Sequence, residues 1–194
     1  MYGRTEHNPQ NEETPFNPQS PYACAKAMAF YLTRYYRETF GMPAWNAILY
    51  NHESPRRTTE YLTRKVTQAV ARIALGKQKK LTLGDMSARI DWGYAKEFME
   101  AAWQMLQMEK ADDYIIATGE AHSVKEWVDE AFAVVNLKAE DYVVTDPALL
   151  RPTKTSTLIG DISKAKKAFG FDPKFKFREL VKLMVEADLE TERC

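Results

Sequence analysis

Residues 20–51, SPYACAKAMAFYLTRYYRETFGMPAWNAILYN, change their period once, and that change decides the fold. Ser20-Pro21 is a helix start, with serine as N-cap and proline at the first helical position. The helix is expected over 21–40 and stops at Gly41. Residues 44–51 (AWNAILYN) then read as a buried strand. Helix followed by strand recurs downstream. A helix is expected over 60–75, ending at Gly76, then a short strand over 81–83 and a helix over 94–108. That last helix puts Phe98, Ala101, Ala102, Met105 and Leu106 on one face. Residues 113–118 (DYIIAT) read as a strand. Ser123 and Glu126 form an S-x-x-E capping box that opens a helix to 136. A strand over 142–145, a short helix over 163–169 and a closing helix over 177–190 complete the series. The closing helix is expected to turn Leu180, Leu183, Met184 and Ala187 inward. Residues 1–19, with Pro9, Pro15 and Pro18, read as a surface loop. Alternating strands and helices make the class α/β, with few strands, most of them short.

Composition narrows the function. The chain has 194 residues, 45% of them hydrophobic, enough for one buried core and a second lobe. Its 27 basic and 27 acidic residues cancel, which argues against a broad nucleic-acid surface. Two cysteines, Cys24 and Cys194, cannot form a disulfide framework. The longest apolar run covers only 27–32, so no membrane span is expected. With no secretory h-region after Met1, the expected location is the cytoplasm. The eight glycines are spaced so that no two lie closer than eight residues. Neither G-x-G-x-x-G nor a phosphate-cradling Walker loop can therefore be written within this sequence. Its three histidines and two cysteines show no metal-ligand spacing.

Tyr22 and Lys26 stand in a Y-x-x-x-K pattern on one face of the first helix. An ammonium beside a phenol favours phenolate, and a helix N-terminus pushes the same way. A tyrosine so placed can exchange a proton with a sugar hydroxyl. A packing tyrosine beside a solvated lysine has the same spacing, so spacing alone leaves both readings open. By the same standard, His52-Glu53 and Arg56-Arg57 are a charged loop, and Lys65 is an exposed helix charge. Phe30, Tyr31, Tyr35, Tyr36 and Phe40 lie at helical spacing and read as core or as a helix-pairing surface. His122 reads as a turn or helix-start residue.

A wider pattern changes the balance. Ser20-Pro21-Tyr22-Ala23-Cys24-Ala25-Lys26, then Asn51-His52-Glu53-Ser54-Pro55-Arg56-Arg57, then Thr63-Arg64-Lys65 occur in that order. Asp91-Trp92-Gly93, Ala117-Thr118-Gly119-Glu120, His122-Ser123-Val124 and Arg151-Pro152-Thr153 follow. This series resembles the extended short-chain dehydrogenase/reductase family, and within it the GDP-mannose 4,6-dehydratases, over nearly the whole chain. Two positions depart from the family pattern. Ile90 stands where the family carries arginine, with Arg89 one place earlier, and Lys154 replaces the family's glutamate.

The resemblance implies an incomplete Rossmann-like, NAD(P)-binding α/β domain with a smaller nucleotide-sugar lobe interleaved at roughly 52–90 and 120–194. Met1-Tyr2-Gly3 matches the end of a family segment whose catalytic glutamate stands just before it. The expectation is thus the C-terminal portion of a longer enzyme, inactive when isolated. Family members use NADP to oxidise C4 of GDP-mannose, lose water across C5–C6 and return the hydride to C6. By resemblance Tyr22 is the acid/base, Lys26 holds the nicotinamide ribose, and His52 and Arg57 contact NADP. Asn51, Lys65, Arg89 and Arg151 fall to the nucleotide sugar. A homo-oligomer is also implied. A GDP-4-keto-6-deoxyhexose reductase, another nucleotide-sugar epimerase or dehydratase, and a non-catalytic nucleotide-sugar-binding module remain rival readings.

Overall fold

The structure, a computed structural model, describes residues 1–149 and 157–193. In chain order its elements are α1 (Pro21–Phe40), β1 (Asn46–Leu49), β2 (Asn51–Glu53), α2 (Leu62–Ala74), β3 (Leu81–Leu83), β4 (Arg89–Ile90) and β5 (Trp92–Tyr94). There follow α3 (Ala95–Met105), β6 (Asp113–Ile116), β7 (His122–Ser123), α4 (Val124–Val134), β8 (Val143–Thr145), α5 (Ser163–Phe169) and α6 (Phe177–Arg193). The class is α/β, and two of the strand pairs, β1 with β6 and β3 with β8, run parallel. Helix α1 begins where the Ala23 N–H donates to the Ser20 side chain, and it ends on Gly41 at φ 65°. Both signals are local, and both ends fall where the sequence places them.

The chain divides into two units, one made of Met1–His52, Asp91–Ala121 and Thr155–Lys174, the other of Glu53–Ile90, His122–Lys154 and Phe175–Cys194. In the first, β1 and β6 pair from Asn46 opposite Asp113 to Leu49 opposite Ile116. The Tyr50 N–H then donates to the Ile116 carbonyl and carries the ladder one residue further. Phe30 of α1, Phe98, Ala101 and Met105 of α3, and Phe171 join these strands in one buried cluster. Arg37, in the last turn of α1, donates to Asp113 Oδ1 at 2.8 Å and ties that helix to the start of β6.

In the second unit α2 packs on α6, and both pack on α4. Val66, Val70 and Ile73 of α2 face inward, as do Leu180, Val181, Met184 and Val185 of α6 and Trp127, Val128 and Phe132 of α4. Each such side chain contributes about 1.5–3 kcal/mol on burial. The capping box at the start of α4 is present as read: Ser123 accepts from the Glu126 N–H, and Glu126 reaches back to the Ser123 N–H.

Several expectations are corrected. The strand over 44–51 is two short strands that part at Tyr50, and the second continues to Glu53. Strands β4 and β5 have two and three residues, too few for any period to show in sequence. Leu106, the C-cap of α3, is exposed because it lies about 100° round the helix from Met105, off the stripe of Phe98, Ala101 and Met105. The buried seam of α6 runs through Val181, Val185 and Asp188, leaving Leu183 and Ala187 half-buried. Of the α1 aromatics only Phe30 is core; Tyr31, Tyr35, Tyr36 and Phe40 are exposed.

Residues 1–19 are more than a surface loop, since Tyr2 and Gln10 are buried. Gln10 can be buried because its polar atoms are paired. Its side-chain oxygen accepts from the Tyr50 hydroxyl at 2.9 Å and from the Ile159 N–H at 3.0 Å. Its side-chain NH2 donates to the His7 carbonyl at 2.6 Å. Among the described residues no helix is long and apolar enough to cross a membrane.

Candidate active site

Tyr22 and Lys26 occupy the first turns of α1, with the Lys26 ammonium 5.6 Å from the centroid of the Tyr22 ring. Tyr22 is 73% exposed. Among the described residues no side chain bonds its hydroxyl, and no carboxylate pairs with Lys26. Both groups are therefore open to a ligand, and the helix start that carries them is held by Ser20.

Asn51 and His52 follow the carboxyl end of β1, and 117–120 follow that of β6. In parallel sheets these ends are where ligands sit. Asn51 is exposed. His52 Nδ1 lies 2.8 Å from the Tyr50 carbonyl, and a carbonyl only accepts, so Nδ1 carries the proton. In the neutral ring Nε2 is then left as an acceptor. The imidazole also packs on Phe98, with centroids 5.5 Å apart.

Asp91 organises the neighbouring turn, and the sequence reading gave it no role. Its buried carboxylate accepts from the Thr118 N–H (2.8 Å) and hydroxyl (2.6 Å), from the Gly119 N–H (3.0 Å) and from the Gly160 N–H (3.3 Å). Burial pushes this carboxyl above the usual range, although the four donors pull the other way. The turn needs close backbone approach: a Cβ on Gly160 would overlap Ala117 and Ile115, and one on Gly93 would overlap the Phe98 ring. The signal in the sequence was Asp91-Trp92-Gly93 itself, quoted above only as part of a pattern.

In the second unit Arg57 is oriented from two sides. Its guanidinium carbon lies 3.6 Å from the centroid of the Tyr61 ring, within reach of cation–π attraction. Its Nε is 3.3 Å from Glu53 Oε2, an ion pair too skewed to count as a hydrogen bond. Glu53 is buried and accepts from the Thr63 hydroxyl at 2.8 Å. The terminal nitrogens of Arg57 remain as a fork of donors suited to phosphate. Lys65 is exposed and donates to the Thr82 carbonyl at 3.1 Å. Arg89 Nη1 lies 3.4 Å from Glu126, the carboxylate of the α4 capping box. Arg151 and Lys154 lie outside the described residues. A cleft of about 500 Å³ beside α4, lined by Met86, Lys125, Val128, Leu137, Lys138 and Thr145 among others, includes none of the expected site residues. Among the described residues no cluster of ligating side chains could hold a metal ion.

The family model described as GDP-mannose 4,6 dehydratase matches residues 1–184. GDP-mannose 4,6 dehydratase 1 of Arabidopsis thaliana is 51% identical over 190 residues, covering 98% of this chain and 52% of that protein. The GDP-mannose 4,6 dehydratase of Homo sapiens is 41% identical over 210 residues, covering 100% of this chain and 56% of that protein. The chain thus spans about half the length of the curated relatives it matches. Among solved structures, RMD from Pseudomonas aeruginosa complexed with NADPH superposes with a TM-score of 0.86 at 20% identity, over 97% of this chain and 63% of that one. The dTDP-glucose 4,6-dehydratase of Bacillus anthracis in complex with NAD gives 0.85 at 24% identity, over 99% and 60%. Those two likenesses concern the fold. Matched along almost its whole length by the family model, the chain belongs to the GDP-mannose 4,6-dehydratase family.

Proposed function

We propose that this chain carries the acid–base tyrosine and nucleotide-binding loop of a GDP-mannose 4,6-dehydratase, an NADP-dependent lyase forming GDP-4-dehydro-6-deoxy-D-mannose. The observation that carries the reading is the family match over 1–184 together with Tyr22 and Lys26 side by side at an open helix start. On this reading the first unit belongs to the nucleotide-binding sheet and the second is the nucleotide-sugar lobe. The residues present suit the nicotinamide ribose and a phosphate of such a dinucleotide, with no glycine cradle in this sequence: Lys26 has no competing carboxylate among the described residues, and Arg57 offers an oriented fork. When bound, that cofactor supplies a hydride acceptor and, later, a hydride donor.

Tyr22 takes the proton from the sugar O4 hydroxyl; because C4 stays a carbonyl in the product, that proton is released to balance the hydroxyl lost from C6 as water and does not return to O4. Lys26 donates to ribose hydroxyls and stabilises the phenolate form of Tyr22. His52 accepts through Nε2, and Arg57 pairs with phosphate oxygens. Asn51, Lys65, Arg89 and Arg151 contact the nucleotide sugar. The exposed aromatic face of α1 is the contact of a homo-oligomer, since single-unit proteins rarely leave so large an apolar face uncovered.

The test is calorimetric titration of enzyme containing this chain with GDP-mannose, with and without NADP, followed by chromatography of the nucleotide sugar. Formation of the 4-dehydro-6-deoxy product supports the reading. Binding without turnover identifies a nucleotide-sugar-binding module instead, and absence of both overturns the proposal.

A further inference from the structure

Arg64 has no role in the sequence reading, yet all three of its guanidinium nitrogens are engaged. Nε and Nη2 each lie 2.7 Å from Asp188 Oδ1, on α6. Nη1 donates to the Pro55 carbonyl and, at 3.0 Å, to the Arg57 carbonyl. The other oxygen of Asp188 accepts from the Thr67 hydroxyl at 2.7 Å. Asp188 is 1% exposed and Arg64 13%. A carboxylate so buried needs a cation, so the Arg64–Asp188 pair cannot part without leaving a buried charge. The remaining donors of the fork are thereby aimed in one direction, at the main chain of the loop.

That loop is the one that bears Arg57. Glu53 and Tyr61 orient its side chain. Inside the loop the Arg57 N–H donates to the Ser54 carbonyl, which closes a turn without tying that turn to a helix. Arg64 supplies the tie, at the carbonyl of residue 57 itself. We propose that Arg64, backed by Asp188, is a positioning residue that sets the backbone from which Arg57 reaches a phosphate. The proposal rests on the reading of Arg57 as a phosphate contact. Lysine cannot take the part of Arg64, because one ammonium cannot face a carboxylate and two separated carbonyls together.

A merely structural ion pair would lower stability when weakened and leave a still-folded loop in place. The test therefore reads loop order and ligand affinity in the folded 194-residue chain, by NMR, with inorganic pyrophosphate as the probe. In the parent chain pyrophosphate should shift the Arg57 Nε–H signal, and Arg57→Ala should abolish that response. In Arg64→Lys the affinity should fall roughly tenfold, the scale of one lost charge-assisted hydrogen bond. The amides of 54 and 56–58 should drop from order parameters of about 0.85 to below about 0.6 while α2 and α6 keep theirs. Should Arg64→Lys not fold, Thr67→Val replaces it: Thr67 touches Asp188 and neither loop carbonyl, so looser amides at 54 and 56–58 support the relay. Parent-like loop order and affinity in the folded variant overturn the proposal. If the parent chain ignores pyrophosphate, the phosphate reading of Arg57 fails, and loop order alone then upholds or overturns the positioning by Arg64.

Discussion

Helix α1 buries only Ala27 and Phe30 of its twenty residues, whereas α2 buries seven of its thirteen. Each carries candidate site residues, but they are supported differently. Tyr22 and Lys26 project from a helix whose Tyr31, Leu32, Tyr35, Tyr36 and Phe40 are all exposed. The loop before α2 is fastened at Glu53 by Thr63 and at its carbonyls by Arg64. The difference teaches which part of a site is set by its own unit. Arg57 finds its orienting groups within eight residues, while an apolar face like that of α1 calls for a covering surface.

The largest expected effect falls on the less supported side. In enzyme containing this chain and active on GDP-mannose, Tyr22→Phe should lower kcat by about 10²–10⁴-fold, the usual share of a positioned acid/base. It should leave the thermal midpoint unchanged, because the hydroxyl it removes has no partner among the described residues. A variant with parental kcat would strip Tyr22 of its role.

Next comes stability, measured by urea titration, where the two helices should separate clearly. Leu180→Ala, which opens a cavity under α2, should cost about 2–5 kcal/mol. Tyr35→Ala on the exposed face of α1 should stay within about 0.5 kcal/mol. Equal losses would show that the α1 face is already covered in solution and would point to self-association.

A smaller effect concerns the cap of α4. Ser123→Ala should cost about 1 kcal/mol. The Ser123 N–H holds the Glu126 carboxyl below the usual glutamate range. A carboxylate lowered on folding stabilises above its unfolded value of about 4.3 and loses that contribution as pH falls through the folded value. That main-chain N–H survives in Ser123→Ala, so the stability gap that should narrow in acid is the one between the parent and Glu126→Gln. The smallest effect is at the surface: Asp172, held at about 2 by Lys174 and Lys166, should titrate there in NMR and move upward in high salt.

What was legible in the sequence was what local chemistry decides. Ser20 with Pro21, Gly41, and the Ser123–Glu126 box each act within four residues, and each was found where it was read. The N-H-E-S-P-R-R run was legible as a pattern, but the part played by Glu53 was not, because its partners Arg57 and Thr63 are joined to it only by the turn of the loop. Asp91 and Arg64 stand within legible motifs, but the motifs do not show what they do. Their partners, Gly160 and Asp188, lie 69 and 124 residues away, beyond the reach of any periodicity. The same holds for Gln10, whose buried amide turns an apparent surface loop into part of the core.

That amide has a further consequence, for the order in which the chain acquires its shape. Gln10 bonds the main chain at Ile159, across 149 residues. The first unit is assembled from three separate segments, with the second unit's residues running between them. On a ribosome residues 1–52 wait for more than a hundred further residues before 157–161 emerges and the Ile159 N–H can reach Gln10. Long closures of this kind slow folding and leave apolar surface available to chaperones. Helices α2 and α4 are made entirely within that interval, so the second unit can begin to pack before the first is able to finish.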